Sequence, residues 1–220
     1  MRLLHKMVVS AVALVLLPIV GVCAWLFVYT GDLPDFDHLS QFAPSAQSVV
    51  SDPCFAAPLM VVTFDGIGKP LREALATAEP VRLLPAASLP DRIAATLLCN
   101  RREGAGKHHL NEFRLSWHIR MHFSEQQLFT IYANRAYFGV GAIGVENASR
   151  KFFHKDADAL SIEEAALIAG LLRAPDYFSP YKHPDRALQR RNKVLEDMVA
   201  QGKLTVSDAA RAEATPVVTQ

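Results

Sequence analysis

"SEQQLFTIYANRAYFGVGAIGVENASRKFF", residues 124–153, decides the fold. Ser124 followed by Gln127 is a capping-box pattern that opens a helix, and Leu128, Ile131 and Tyr132 give that helix an apolar stripe. Gly139, Gly141 and Gly144 then interrupt the pattern before a second helical run begins near Val145. Glycine is costly to fix in place, so this clustering points to a sharply turned connection packed closely against its neighbours.

Downstream, "LSIEEAALIAGLLRAPDYF" (160–178) repeats the device: Ser161 caps, Glu164 returns to it, and Pro175 stops the helix. A helix that apolar belongs at the centre of the core. The last long helix runs over 184–201 and ends at Gly202, with a shorter one at 205–213. Upstream, Asp91 is placed to cap a helix running to Cys99. In "NEFRLSWHIRMHF" (111–123) Phe113, Trp117 and Ile119 to Met121 fall close to one face, which predicts a core-facing stripe. Residues 53–90 are less regular, with one helix near 70–78 and proline-broken connections, and "SVVSD" (48–52) is a candidate short strand. The predicted class is all-α.

The 220 residues, 50% hydrophobic and 20% charged, allow one medium domain plus additional apolar sequence. The additional sequence is Met7 to Tyr29, which carries no charged residue and exceeds the ~20 residues a membrane-spanning helix needs. A cleavable signal peptide has a shorter apolar region and a small-x-small cleavage site, and "GVCAWLFVYTGDLPD" offers no convincing one. Arg2 and Lys6 before the span, with Asp32, Asp35 and Asp37 after it, predict a cytoplasmic N-terminus and a body outside the cytoplasm. The expected organisation is an anchor at 1–30, an extracytoplasmic linker at 31–52, a domain at 53–213 and a tail at 214–220.

A net charge of +1 with dispersed basic residues argues against a nucleic-acid binder. Three cysteines without CxxC spacing exclude a disulfide scaffold or a structural zinc site. Cys23 lies inside the apolar span. Cys54 and Cys99 fall outside it, and an oxidising compartment lets them pair if their Cα atoms come within ~7 Å; two buried thiols are the alternative.

The order of these segments resembles the peptidoglycan glycosyltransferase domain of monofunctional transglycosylases and bifunctional penicillin-binding proteins. The likeness is strongest from Ser124 to Thr205, through "SEQQLFTIYANRAYFGVGAIGVENASRKFFHK", "LSIEEAALIAGLLRAPDYFSPYKHP" and "ALQRRNKVLEDMVAQGKLT", and it extends to the linker "LPDFDHLSQFAPS". It implies a lysozyme-like helical large lobe beside a smaller, here degenerate, lobe at the membrane surface. The implied reaction is polymerisation of lipid II at the outer face of the bacterial inner membrane. A carboxylate takes the proton of the acceptor's 4-hydroxyl, which attacks the donor's anomeric carbon and expels undecaprenyl diphosphate. Cations, or Mg²⁺ or Mn²⁺, neutralise the leaving group. The implied partners are lipid II or a glycan strand, the membrane, and other cell-wall synthesis proteins.

The chain departs from the family where the chemistry is carried. The motif Glu-Asp-x-x-Phe-x-x-His-x-Gly supplies the base, yet residues 49–69, "VVSDPCFAAPLMVVTFDGIGK", hold no glutamate. Asp65 is nearest the right place, although a shorter side chain retracts its carboxylate by ~1.5 Å, and a turn residue before Gly66 is its simpler role. The Gly-Gly-Ser-Thr-Ile-Thr-Gln-Gln motif is eroded to "SLPDRIAATLLCN", which keeps Asn100 while Cys99 replaces a lysine. Where the family has Arg-Lys-x-x-Glu, "HHLNE" offers His108, His109 and Glu112. Glu112 and His108 share a helical face, but a metal site needs more ligands and a solvated polar face is the simpler account. Glu125 reverses the charge of a family lysine and Thr130 replaces a glutamate, whereas Tyr132, Asn134, Arg190 and Arg191 persist.

Residues that serve the fold survive while those that serve charge and proton transfer are replaced. The expectation is a family member that acts on or binds lipid II or nascent glycan with impaired or lost catalysis. The alternatives are an active enzyme using Asp65 or Glu112 as base, and a lytic enzyme that needs a glutamic acid in a cleft. The substrate-binding candidates are His108, His109, Asn100, Tyr132, Asn134, Arg190 and Arg191.

Overall fold

The computed structural model describes residues 14, 16–23, 37–52, 54–78, 89–98, 105–172 and 174–216. Residues 14 and 16–23 are helical, and among the described residues no helix is long and apolar enough to cross a membrane. Most of the expected anchor lies outside the described residues.

The predicted all-α class needs correcting to mostly helical with a small sheet. A 3-10 helix at Asp37–Phe42 leads into β1 (Ser48–Val50), which pairs antiparallel with β2 (Leu59–Val61) in the register Ser48↔Val61, Val49↔Met60 and Val50↔Leu59. Leu39, Phe42, Val50, Leu59 and Val61 are buried, so residues 37–50, expected as linker, belong to the folded body. Their apolar side chains recur too sparsely to stand out against the Pro- and Ser-rich sequence around them.

The helices are α1 (Lys69–Ala78), α2 (Leu89–Leu97), α3 (Ala105–His122), α4 (Glu125–Arg135), α5 (Val145–Phe153), α6 (Ile162–Leu171), α7 (Pro184–Ala200) and α8 (Val206–Ala214). Every residue of α6 from Ala165 onward is buried, and the helix packs between α1 and α7 as its apolar composition demands. Glu164 accepts from the Ser161 amide at 2.9 Å and from Lys155 Nζ at 2.8 Å. At α4 the capping box is complete: Ser124 N donates to Gln127 Oε1 (2.9 Å) and Gln127 N to Ser124 Oγ (3.3 Å). On α4, Leu128, Ile131 and Tyr132 are buried as expected.

Two helices differ from the sequence reading. The helix expected from Asp91 starts at Leu89, and Asp91 accepts a hydrogen bond from Ser116 Oγ that joins α2 to α3. On α3, Phe113, Trp117 and Met121 are 61%, 47% and 69% exposed. The face turned inward carries Asn111, Arg114, Leu115, Ser116 and Ile119. The apolar periodicity is real, but α3 buries its mixed polar side against α2 and leaves the aromatic stripe outside.

The connection from α4 to α5 folds back on itself. Phe138 N donates to Ala142 O and Gly144 N to Ala136 O, both at 2.8 Å, and Tyr137 bridges Ile143. Gly144 has φ +81°, and a Cβ there would stand 2.7 Å from the Asn134 carbonyl oxygen. Glycine is required for both reasons.

Candidate functional site

A cleft of about 660 Å³ lies where α1, α2, α4 and the end of α3 converge. Its floor and one wall are apolar, from Phe64, Leu89, Pro90, Phe123, Leu128 and Phe129. Phe64 and Phe129 meet edge-on at 5.9 Å. Charged groups line the remainder: Arg72 and Glu73 from α1, Arg120 from α3, Glu125 from the first turn of α4, and Lys203 from the turn after α7. Apolar walls with a few convergent charges are the usual make-up of a ligand site.

Each charge is positioned differently. Arg72 Nη1 donates to the carbonyls of Phe64 (2.9 Å) and Ile67 (2.7 Å), and its guanidinium lies 4.7 Å over the Phe64 ring, so it is fixed to the wall it belongs to. Lys203 Nζ donates to Thr77 Oγ1 at 2.9 Å, and Thr77 Oγ1 donates to the Glu73 carbonyl at 2.7 Å, one turn back along α1. Burial holds the Lys203 ammonium below its ordinary range, with the Glu73 carboxylate offsetting part of that effect. The Glu73 side chain is 29% exposed, and Lys69 Nζ stands 3.8 Å from its Oε1.

Neither carboxylate singled out from the sequence lines this cleft. Asp65 is 93% exposed at its side chain, in the turn before α1, with Arg72 Nη1 3.7 Å away. It is the turn residue of the simpler reading. Glu112 sits on α3 with His109 Nδ1 at 3.7 Å. The rings of His108 and His109 meet edge to face at 6.1 Å, and neither lines the cleft. Among the described residues, no group of three or more His, Cys, Asp and Glu is placed to hold a metal ion.

The remaining candidates are mostly interior. Asn134 is fully buried: its Oδ1 accepts from Val62 N (3.1 Å) and its Nδ2 donates to Phe42 O (2.9 Å) and Val62 O (2.8 Å). All its capacity is spent joining the 3-10 helix and the end of β2 to α4, so it is a pin of the fold and not a substrate contact. Tyr132 is 8% exposed, and Arg92 Nη1 lies 3.4 Å from its hydroxyl. Arg191, also buried, donates to the carbonyls of Thr215 (3.1 Å) and Glu213 (3.0 Å) and so ties α7 to the end of α8. Burial lowers its pKa, with Glu163 and Glu213 opposing. Arg190 Nε reaches the Gly170 carbonyl at 3.4 Å, joining α7 to α6. Asn100 and Cys99 lie outside the described residues. Cys54 is disulfide-bonded and Cys23 is free; the Cys54 sulfur is 3.3 Å from the Thr96 carbonyl oxygen.

The sequence reading also passed over a buried ion pair. Asp52, 4% exposed, and Arg135, 2% exposed, are directly bonded. The guanidinium is sandwiched between the rings of Phe42 (4.7 Å) and Phe55 (5.0 Å) and donates through Nε to Thr96 Oγ1 (3.3 Å). Asp52 Oδ1 also accepts from the Cys54 amide at 2.7 Å, and His38 Nε2 is 3.5 Å from Oδ2. Desolvation pulls the Arg135 pKa down, with the Asp52 bond opposing it. Asp52 was visible only as one of two acids in 49–69, and nothing in the local sequence links it to a residue so far along the chain.

The family model described as "Transglycosylase" matches residues 87–199, just over half of the chain, so this chain belongs to the transglycosylase family. It is 29% identical over 234 residues to penicillin-binding protein 1A of Aquifex aeolicus, covering 92% of this chain and 32% of that protein. Over 246 residues it is 26% identical to penicillin-binding protein 1A/1B of Bacillus subtilis, covering 98% of this chain and 27% of that protein. A crystal structure of penicillin-binding protein 1A from Haemophilus influenzae superimposes with a TM-score of 0.40 at 23% identity, over 65% of this chain and 18% of that one. The chain thus spans about a third or less of the length of these relatives. The family match begins at residue 87, so the hairpin and α1, with Phe64, Arg72 and Glu73, precede the matched region.

Proposed function

We propose that the chain holds lipid II or a nascent glycan strand in the cleft between α1 and α4, at the outer face of the bacterial inner membrane, and transfers glycosyl groups with impaired efficiency. The observation that carries this reading is the cleft itself: three cations line a largely apolar channel, while Asp65 and Glu112 both stand outside it. A polyprenyl diphosphate needs apolar walls for its chain and cations for its charge, and Arg72, Arg120 and Lys203 meet that need. No metal step is assigned, because the described carboxylates and histidines do not gather into a metal-binding group. Two lysines usual in the family are replaced by Cys99 and Glu125, which lowers stabilisation of the departing diphosphate. A single N-terminal anchor with its N-terminus in the cytoplasm, and contacts with other cell-wall synthesis proteins, complete the proposal.

The test is incubation of the purified full chain with fluorescently labelled lipid II, scoring binding by anisotropy and polymer by gel. Saturable binding with polymer formed far more slowly than by a family member that has the full motif set supports the reading. Absence of binding overturns it.

A further inference from the structure

We infer that Glu73 is the carboxylate that takes the acceptor proton in this cleft, in place of the glutamate missing from residues 49–69. The inference rests on the reading of the cleft as the glycosyl-transfer site. Two carboxylates line the cleft among the described residues, Glu73 and Glu125, and they differ in setting. Glu125 is exposed at the opening of α4, where solvent screens it. Glu73 is half-buried, lies a turn away from the Lys203–Thr77 hydrogen bond, and lines the same cleft as Phe64 and Phe129.

The neighbours of Glu73 leave it free to act. Lys203 is held by Thr77, one helical turn further along α1, so its ammonium flanks the carboxylate without occupying it. Lys69 stands 3.8 Å away, but its side chain is 76% exposed, and a contact of that kind yields readily to an incoming hydroxyl. Among the described residues, Glu73 is the half-buried carboxylate of the cleft, with the Lys203 ammonium held on the same helix at Thr77.

The step balances without a further reactant. A Glu73 oxygen takes the proton of the acceptor's 4-hydroxyl as that oxygen bonds to the donor's anomeric carbon. The bond from that carbon to the diphosphate oxygen breaks, and the electron pair leaves on the lipid diphosphate, beside Arg120 and Lys203. Glu73 then returns the proton to solvent.

The experiment compares the full-length wild type with Glu73→Gln, Glu73→Asp, Asp65→Asn and Glu112→Gln, measuring lipid II binding and polymer formation in parallel. General base catalysis contributes ~10²–10⁴-fold, so Glu73→Gln is expected to keep binding within about threefold and lose at least ~100-fold in polymerisation. Glu73→Asp is expected to fall between Gln and wild type, while Asp65→Asn and Glu112→Gln stay near wild type. Polymerisation by Glu73→Gln at the wild-type rate overturns the inference and leaves the cleft reading intact. Wild-type binding with no polymer under any condition also overturns it. A wild type that binds no lipid II overturns the cleft reading itself. A Glu73→Gln protein with an unchanged melting temperature excludes misfolding as the cause of lost activity.

Discussion

Removing one partner of the Asp52–Arg135 pair is expected to destabilise the fold far more than removing both. In Asp52→Asn the guanidinium stays between Phe42 and Phe55 with its compensating charge gone, and burial already disfavours its charged form. Breaking a buried pair from one side costs ~3–5 kcal/mol, because the remaining charge is left desolvated. Arg135→Met strands the Asp52 carboxylate, which keeps only the Cys54 amide (2.7 Å) and His38 (3.5 Å), so a loss of similar size is expected. The double variant removes both charges while methionine keeps part of the stem's contact with the two rings. Its expected loss is ~1–2 kcal/mol, which gives a coupling of several kcal/mol in a double-mutant cycle. The assay is urea unfolding of all four proteins by far-UV circular dichroism, with equal m-values required before midpoints are compared. Additive losses, or a cost below ~1 kcal/mol for Asp52→Asn, would refute the reasoning, since either means that the pair is solvated in solution.

Asn134→Ala leaves the amide and carbonyl of Val62 and the carbonyl of Phe42 without partners; a loss of ~3–5 kcal/mol is expected, read as a fall of roughly 6–20 °C in melting temperature. Gly144→Ala combines a positive φ with a Cβ 2.7 Å from the Asn134 oxygen, so ~2–4 kcal/mol is expected from the same measurement, and a neutral result contradicts the described turn. Because the Lys203 pKa is lowered on folding, its protonation opposes the native state below its folded pKa. That penalty disappears as pH rises toward its unfolded value of 10.5. The stability of Lys203→Met relative to wild type is therefore expected to fall between pH 7 and pH 10.5, measured by urea titration at each pH; a flat difference contradicts the burial. Replacing Phe113, Trp117 and Met121 together with serine is expected to leave unfolding nearly unchanged, because all three are exposed, while weakening co-sedimentation with anionic vesicles.

What the sequence revealed was local, and what it concealed was long-range. The box at Ser124, the stop at Gly202 and the central burial of α6 follow from residues within a turn or two of one another, and all appear in the structure. On α3, helical period alone cannot say which of two possible faces is covered. The buried one carries Ser116, which meets Asp91 in a contact between separate helices. Asn134 belongs to a motif that reads as a site, yet its three bonds go to backbone that lies far upstream. Glu73 looks like an ordinary helical charge in "PLREALATA". Its setting depends on Lys203, and no local pattern joins the two.

The lysine at position 203 has a consequence for how the protein is made. Its bond to Thr77 spans 126 positions of the chain, and it follows Gly202, whose φ is +69°. During N-to-C synthesis the residues of α1 to α4 emerge before this cation does. Because α1 packs on α6 and α7, the cleft takes both its shape and its full charge only once those later helices have docked. Wall and cation are thus completed in one late event of folding.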